Sequence, residues 1–180
     1  MKIDVDGLEI INYPDPRLRQ AGKPIAEITA EVRAVARKML ELMKEADGVG
    51  LAAPQVGLAW RMFVSNPTGE PGGEQVYINP RLAKLTGLIE SEEGCLSIPH
   101  LTGTIRRAAE VTIEATDLEG RAFERTGTAL PARIWQHETD HLDGKLIIDR
   151  FTEADKLKAR RTLKQLEKEF KERGGKLKAK

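Results

Sequence analysis

Apolar residues between Ala30 and Ala46 recur every three or four positions: Val32, Val35, Ala36, Met39, Leu40 and Met43 fall on one side of a helix, with Thr29 ahead as its cap. That spacing predicts a helix whose stripe is buried in a core. The period then changes. Residues 58–64 and 76–79 read as strands around the loop Pro67 to Gly73, and Val111, Ile113 and Ala115 alternate with polar neighbours before the turn Asp117-Leu118-Glu119-Gly120. A second helix is predicted from Thr128, an N-cap residue, through Pro131 in the first turn, where a missing N–H costs little, to a closing Gly144. Leu130, Ile134 and Trp135 would bury it. A third starts at Thr152 with Asp155 three residues on, and Leu157, Leu163, Leu166 and Phe170 give it one apolar stripe among charges. The order predicts the α+β class: antiparallel strands and sheets packed around a central helix, with a C-terminal helix after it.

The central helix carries the chemistry. In Gln136-His137-Glu138-Thr139-Asp140-His141-Leu142-Asp143-Gly144, two histidines four residues apart lie one turn apart on the same helical face. They can be aimed at one metal ion, with Glu138 beside the ion rather than on it, where it can take a proton from bound water. The pattern suggests hydrolysis. A catalytic site of the zinc type needs a third protein ligand and an open position. The longer metzincin pattern would place a histidine where Ile147 stands, and no histidine follows His141. The third ligand is therefore a downstream carboxylate or something upstream. The only cysteine, Cys95, lies upstream in Glu93-Gly94-Cys95-Leu96-Ser97. A lone cysteine is more often a small buried hydrophobe than a ligand. With Gly94 beside it and the acidic Glu92 and Glu93 before it, Cys95 looks less like core packing.

The segment Gly48 to Gly57 is glycine-rich but lacks the Gly-Lys-Ser/Thr ending of a phosphate loop, which leaves a plain turn closing the first helix as the simplest reading. Its small residues also allow backbone to approach another group closely.

Three segments occur in one order: Gly48-Val49-Gly50-Leu51-Ala52-Ala53-Pro54-Gln55, then Glu93-Gly94-Cys95-Leu96-Ser97, then the histidine helix. With the opening Tyr13-Pro14-Asp15-Pro16-Arg17-Leu18-Arg19, they make the chain resemble the peptide deformylases from about residue 10 to residue 150. The resemblance implies Cys95, His137 and His141 as ligands of one divalent ion, Fe2+ in the cell, with Zn2+, Ni2+ or Co2+ able to take its place in a purified protein. It implies that metal-bound hydroxide attacks the formyl carbon of a nascent peptide's N-formylmethionine and releases formate, with Glu138 as general base and acid. The side-chain amide of Gln55 and the N–H of Leu96 would donate to the oxygen that gains charge, each such donor worth about 3 kcal/mol. The peptide main chain would pair near Val49, Gly50 and Gly94. Val49, Leu130, Ile134 and the His137 ring would line the methionine slot, with the aliphatic stem of Arg133 as a wall. Many family members carry an arginine where Thr102 stands, so what the resemblance implies about the peptide stops at its first residue. His100 is expected to be an exposed loop residue outside the site.

Two other readings are set against this one. An endopeptidase would take its third ligand from Glu153, Glu167, Glu169 or Glu172, in a strongly charged helix where a solvated face is the expected role. A structural metal site on a nucleic-acid-binding module would need a fourth ligand.

At 180 residues and 40% hydrophobic, the chain suffices for one core burying about 70% of its unfolded surface. The expected organisation is a catalytic domain over 1–150, a basic helix over 151–173 belonging to it, and a flexible tail over 174–180. A single cysteine permits no internal disulfide, which fits a reducing compartment. No apolar leader and no run of 18 apolar residues occurs, so a cytoplasmic protein without a membrane span is expected. Charge is uneven: residues 151–180 hold 11 Lys and Arg against 5 Asp and Glu, a net of +6 within a total of +1. A basic arm of that kind suits rRNA phosphates, and some deformylases use a C-terminal helix at the ribosome, so the ribosome is the expected partner besides nascent formyl-Met peptides.

Overall fold

The computed structural model describes residues 3–175. Its elements run α1 (Ala30–Glu45), β1 (Gly50–Ala52), β2 (Met62–Ser65), β3 (Gln75–Thr86), β4 (Ile89–Cys95), β5 (Ile98–Arg107), β6 (Glu110–Thr116), β7 (Ala122–Thr128), α2 (Ala129–Leu142) and α3 (Glu153–Glu172). The class is α+β. Five strands form one antiparallel sheet in the order β1-β2-β3-β6-β7, and β4 pairs with β5 as a separate hairpin.

Alternation along the strands decides which helix lies on which face. In β2, Met62 and Val64 join Val35, Met39 and Met43 of α1, whereas Phe63 between them joins Ile134, Trp135 and Leu142 of α2. In β3, Val76 and Ile78 side with α1, and Tyr77 with α2. The sheet is therefore held between the two helices. The indole N–H of Trp135 donates to the Tyr77 hydroxyl at 2.9 Å, which satisfies the polar tips of these two rings. A third core, built from Ile98, Ile105, Leu146, Ile147, Phe151 and Leu166, seats α3 against β5.

Helix signals read from the sequence match closely, with local differences. Thr29 accepts from the Val32 N–H at 3.3 Å, and the Thr152 hydroxyl accepts from the Asp155 N–H at 3.1 Å. Thr128 occupies the N-cap of α2 without a side-chain bond, and Ala129 after it has φ +51°. Asp143 is the C-cap, with Gly144 just beyond it at φ +72°. In α3, Leu163 and Leu166 of the expected stripe pack on the third core, and Ala159 joins them in place of Leu157, which is 61% exposed.

Strand limits diverge more. Leu58 and Trp60 are packed against the α1 core from a loop, and the strand begins at Met62. β3 continues to Thr86 because its polar second half pairs with β6. The strands β4 and β7 are polar, largely exposed and without clean alternation, so no sequence pattern announced them. His100, expected in a loop, lies on β5, exposed and at φ +63°. The expected tail falls mostly on residues 176–180, outside the described residues.

Candidate metal centre

Pairing of β4 with β5 brings Cys95 to the end of a hairpin whose two-residue turn is Leu96-Ser97. The hairpin end faces His137 and His141 of α2. Ligand atoms of Cys95, His137 and His141 all lie within 4.8 Å of one another. Cys95 Sγ stands 3.3 Å from His141 Nε2, which is 3.2 Å from His137 Nε2. One sulfur and two imidazole nitrogens converging from two elements suit zinc, iron(II), cobalt or nickel.

The surroundings fit a cation. Burial disfavours charge on His137, yet the Cys95 sulfur and Glu93 raise its pKa to about 10, and burial together with His137 holds His141 well below its ordinary value. Both His137 nitrogens are engaged, since Nε2 points to the other donors and Nδ1 is 3.1 Å from Glu93 Oε2. Such a carboxylate fixes ring orientation in metal sites. Burial opposes the Glu93 charge, but Arg107, with Nε at 2.8 Å and Nη2 at 2.9 Å from its two oxygens, brings its pKa down to about 2. Arg107 also donates from Nη1 to Asp140 at 2.7 Å.

Glu138 follows His137 on α2 and points toward β1, and its Oε2 is buried without a hydrogen-bond partner. Burial pushes its pKa up to about 7, in the range where a carboxylate takes and returns protons near neutrality. Gln55, 1% exposed, sits in a 3-10 turn over Ala53–Val56. Its Oε1 accepts from the Ala52 N–H at 2.8 Å, which turns Nε2 toward Ser97 Oγ at 3.2 Å and Cys95 Sγ at 3.5 Å.

A cavity of about 430 Å³ opens over these groups. Val49, Gly50, Gln55, Gly94, Cys95, Leu96, Leu130, Arg133, Ile134, His137 and Glu138 all line it, so every site residue read from the sequence meets there except His141, which lies buried behind the donors. His100 and Thr102 form part of its rim, so His100 belongs to the cavity despite its exposure. Sequence reasoning missed Arg107, Asp140 and Ser97 as supports. Arg107 pairs with Ile89 in the β4–β5 ladder and reaches Glu93 and Asp140 by its side chain, which no local pattern signals.

The rival third ligands are engaged elsewhere. Glu153 pairs with Lys156, Glu167 accepts from Tyr13, Glu169 meets Arg173, and Glu172 meets Lys168.

Residues 7–157 match the family model described as polypeptide deformylase. The chain is 42% identical over 171 residues to "Peptide deformylase 1B, chloroplastic" of Solanum lycopersicum, covering 93% of this chain and 61% of that protein. It is 43% identical over 161 residues to a peptide deformylase of Alkalilimnicola ehrlichii, covering 88% of this chain and 90% of the relative. A crystal structure of a peptide deformylase from Legionella pneumophila superposes with a TM-score of 0.85 at 38% identity, covering 89% of this chain and 95% of that one. The chain thus spans under two thirds of the plant relatives' length and nearly all of the bacterial one. With a family match over most of its length and a donor cluster to go with it, this chain belongs to the polypeptide deformylase family.

Proposed function

We propose that the protein removes the formyl group from N-formylmethionine at the start of nascent peptides, releasing formate, with a divalent ion on Cys95, His137 and His141. The observation that carries the reading is the convergence of those three donors beside a buried carboxylate with one unpartnered oxygen. Three protein ligands leave a position open, as a catalytic rather than structural site requires. When bound, the ion supplies an acidified water and a Lewis-acid contact for a carbonyl oxygen.

The remaining steps belong to the chain. Glu138 takes the proton of the attacking water and returns it to the departing amine, a role suited to a group that titrates near neutrality. Gln55 presents its amide donor to the carbonyl oxygen as charge grows there, held in place by the Ala52 N–H. Leu96 is the first residue of the two-residue turn, where the ladder does not use its N–H, so that N–H is the second donor. Val49, Leu130 and Ile134 line the apolar side of the cavity for the methionine side chain, with the Arg133 stem beside them. Gly50 and Gly94 flank the opening, where the peptide main chain lies alongside backbone.

We read residues 1–150 as the catalytic unit and 151–173 as its basic C-terminal helix. Iron(II) is the expected ion in the cell. No helix among the described residues is long and apolar enough to cross a membrane, and a cytoplasmic location with ribosome contact through α3 completes the reading. The test is formate release from a formyl-Met peptide, compared with cleavage of a longer unformylated peptide. Formate with no internal cleavage supports the assignment, and internal cleavage without formate overturns it in favour of an endopeptidase.

A further inference from the structure

We propose that Arg150, outside the cavity, is a positioning residue for metal binding: it holds Asp140 so that Arg107 stays on Glu93 and Glu93 stays on His137. This rests on reading Cys95, His137 and His141 as the metal ligands.

The four groups form a chain of alternating charge running inward from the surface. Side-chain exposure falls from 39% at Arg150 to 9% at Asp140 and 2% at Arg107, with Glu93 at 5%. Arg150 grips Asp140 as a fork, Nε donating to Oδ2 and Nη2 to Oδ1. Arg107 is divided: Nε and Nη2 go to Glu93, and Nη1 to Asp140. Glu93 Oε2 serves Arg107 Nη2 and His137 Nδ1 together. The atom that orients the metal ligand is therefore the atom whose place Arg107 sets.

Without Arg150, the buried Asp140 carboxylate keeps Arg107 as its one ion-pair partner among the described residues. A buried charge with too few partners is costly, and the nearest remedy is for Arg107 to turn toward Asp140. That turn loosens Nη2 from Glu93 and frees the His137 ring. Arg150 is well placed to prevent it because its own backbone is fixed. Its N–H donates to the Ile147 carbonyl at 2.9 Å, and Ile147 and Phe151 on either side are buried in the third core. The Phe151 ring is so close to Gly103 that a β-carbon there would meet it at 2.5 Å.

Plain electrostatics predicts the opposite sign. Deleting a positive charge makes the surroundings more negative and would tighten the hold on a cation. At a partly exposed guanidinium that effect is screened by water and salt, whereas the positioning effect acts through direct contacts. The sign of the change separates the two.

The experiment loads the full chain with zinc and follows release into a chromogenic chelator, for the parent, Arg150→Gln, Arg150→Lys, Glu93→Gln and the Glu93→Gln/Arg150→Gln pair. Outer supports of metal ligands are worth about ten- to a hundredfold in affinity, so release from Arg150→Gln is expected to be about tenfold faster or more. Lysine keeps the charge but not the planar fork, so Arg150→Lys should behave like Arg150→Gln. In the Glu93→Gln background Arg150→Gln should add nothing, since the route to His137 is already cut. Unchanged or slower release, parent-like release from Arg150→Lys, or an additive effect in the pair overturns the proposal. Should Arg150→Gln fail to fold, the Arg150→Lys comparison decides alone. A parent protein that retains no zinc overturns the metal-centre reading as well, which distinguishes that failure from the others.

Discussion

A β-carbon on Gly50 would stand 2.3 Å from Oε1 of Glu138. The glycine is needed here for space, since its conformation is ordinary strand, and the space is occupied by the carboxylate proposed to move the proton. Gly50→Ala therefore must displace Glu138 or shift β1, whose register with β2 pairs Gly50 with Ser65. Overpacking of this kind costs about 1–3 kcal/mol, and the expected result is a lower melting temperature with at least a tenfold fall in formate release. Metal content should stay near that of the parent, because none of the three donors is touched. Parent-like turnover from Gly50→Ala would show that Glu138 tolerates displacement and weaken its assigned role.

Cys95→Ala separates ligand from packing residue. As a ligand, its loss releases the metal and abolishes formate production. As a small hydrophobe of the third core, it would produce a mild fall in stability with the ion retained. Metal analysis on the purified variant checks this, and stoichiometric metal in an active Cys95→Ala protein contradicts the donor set.

The ion pair between Glu93 and Arg107 gives a pH signature in the metal-free protein. Burial works against the Glu93 charge, but Arg107 lowers its pKa from 4.5 to about 2 in the folded state. A carboxylate depressed on folding adds stability that is fully present above its unfolded value and is lost as the pH falls through its folded one. The gap in unfolding free energy between the parent and Glu93→Gln should therefore narrow as the pH falls from 4.5 to about 2. A gap that does not narrow on acidification would mean that the pair does not hold Glu93 ionised.

Helical spacing alone places His137 and His141 together, whereas Cys95 as the third donor comes from the resemblance, since the sequence by itself leaves a downstream carboxylate open. The cavity was legible only through the resemblance. Its apolar side draws Val49 from the chain before β1, and Leu130 and Ile134 from α2, joined by sheet packing that no short window encodes. Support for the ligands was not legible at all. Arg107 is 30 residues from His137 in the chain, and its side chain reaches Glu93 although the hairpin register pairs Glu93 with Gly103. Gly50 read as room for a peptide, and the structure shows that a side chain there would first strike Glu138.

The basic helix makes a separate prediction. Deleting α3 from residue 165 would remove the buried Leu166 and the Glu167 carboxylate that accepts from the Tyr13 hydroxyl at 2.9 Å, so truncation confounds binding with stability. Lys164, Lys168 and Lys171 are exposed and can be changed instead. Substituting all three with glutamate should leave hydrolysis of a short formyl-Met peptide unchanged and weaken sedimentation with ribosomes at low salt, the difference shrinking as salt rises. Equal ribosome affinity at low salt would leave α3 as a structural element.

The most direct test of the account is Glu138→Gln, assayed for metal and for formate release in one anaerobically prepared sample. The change keeps shape and all three donors while removing the proton carrier. General acid-base groups contribute about a hundredfold to ten-thousandfold, so the variant should hold metal at the parent's stoichiometry and lose formate release by at least a hundredfold at saturating formyl-Met peptide. Full metal with near-parental turnover would contradict the account, because the buried carboxylate beside the donors would then have no part in the reaction.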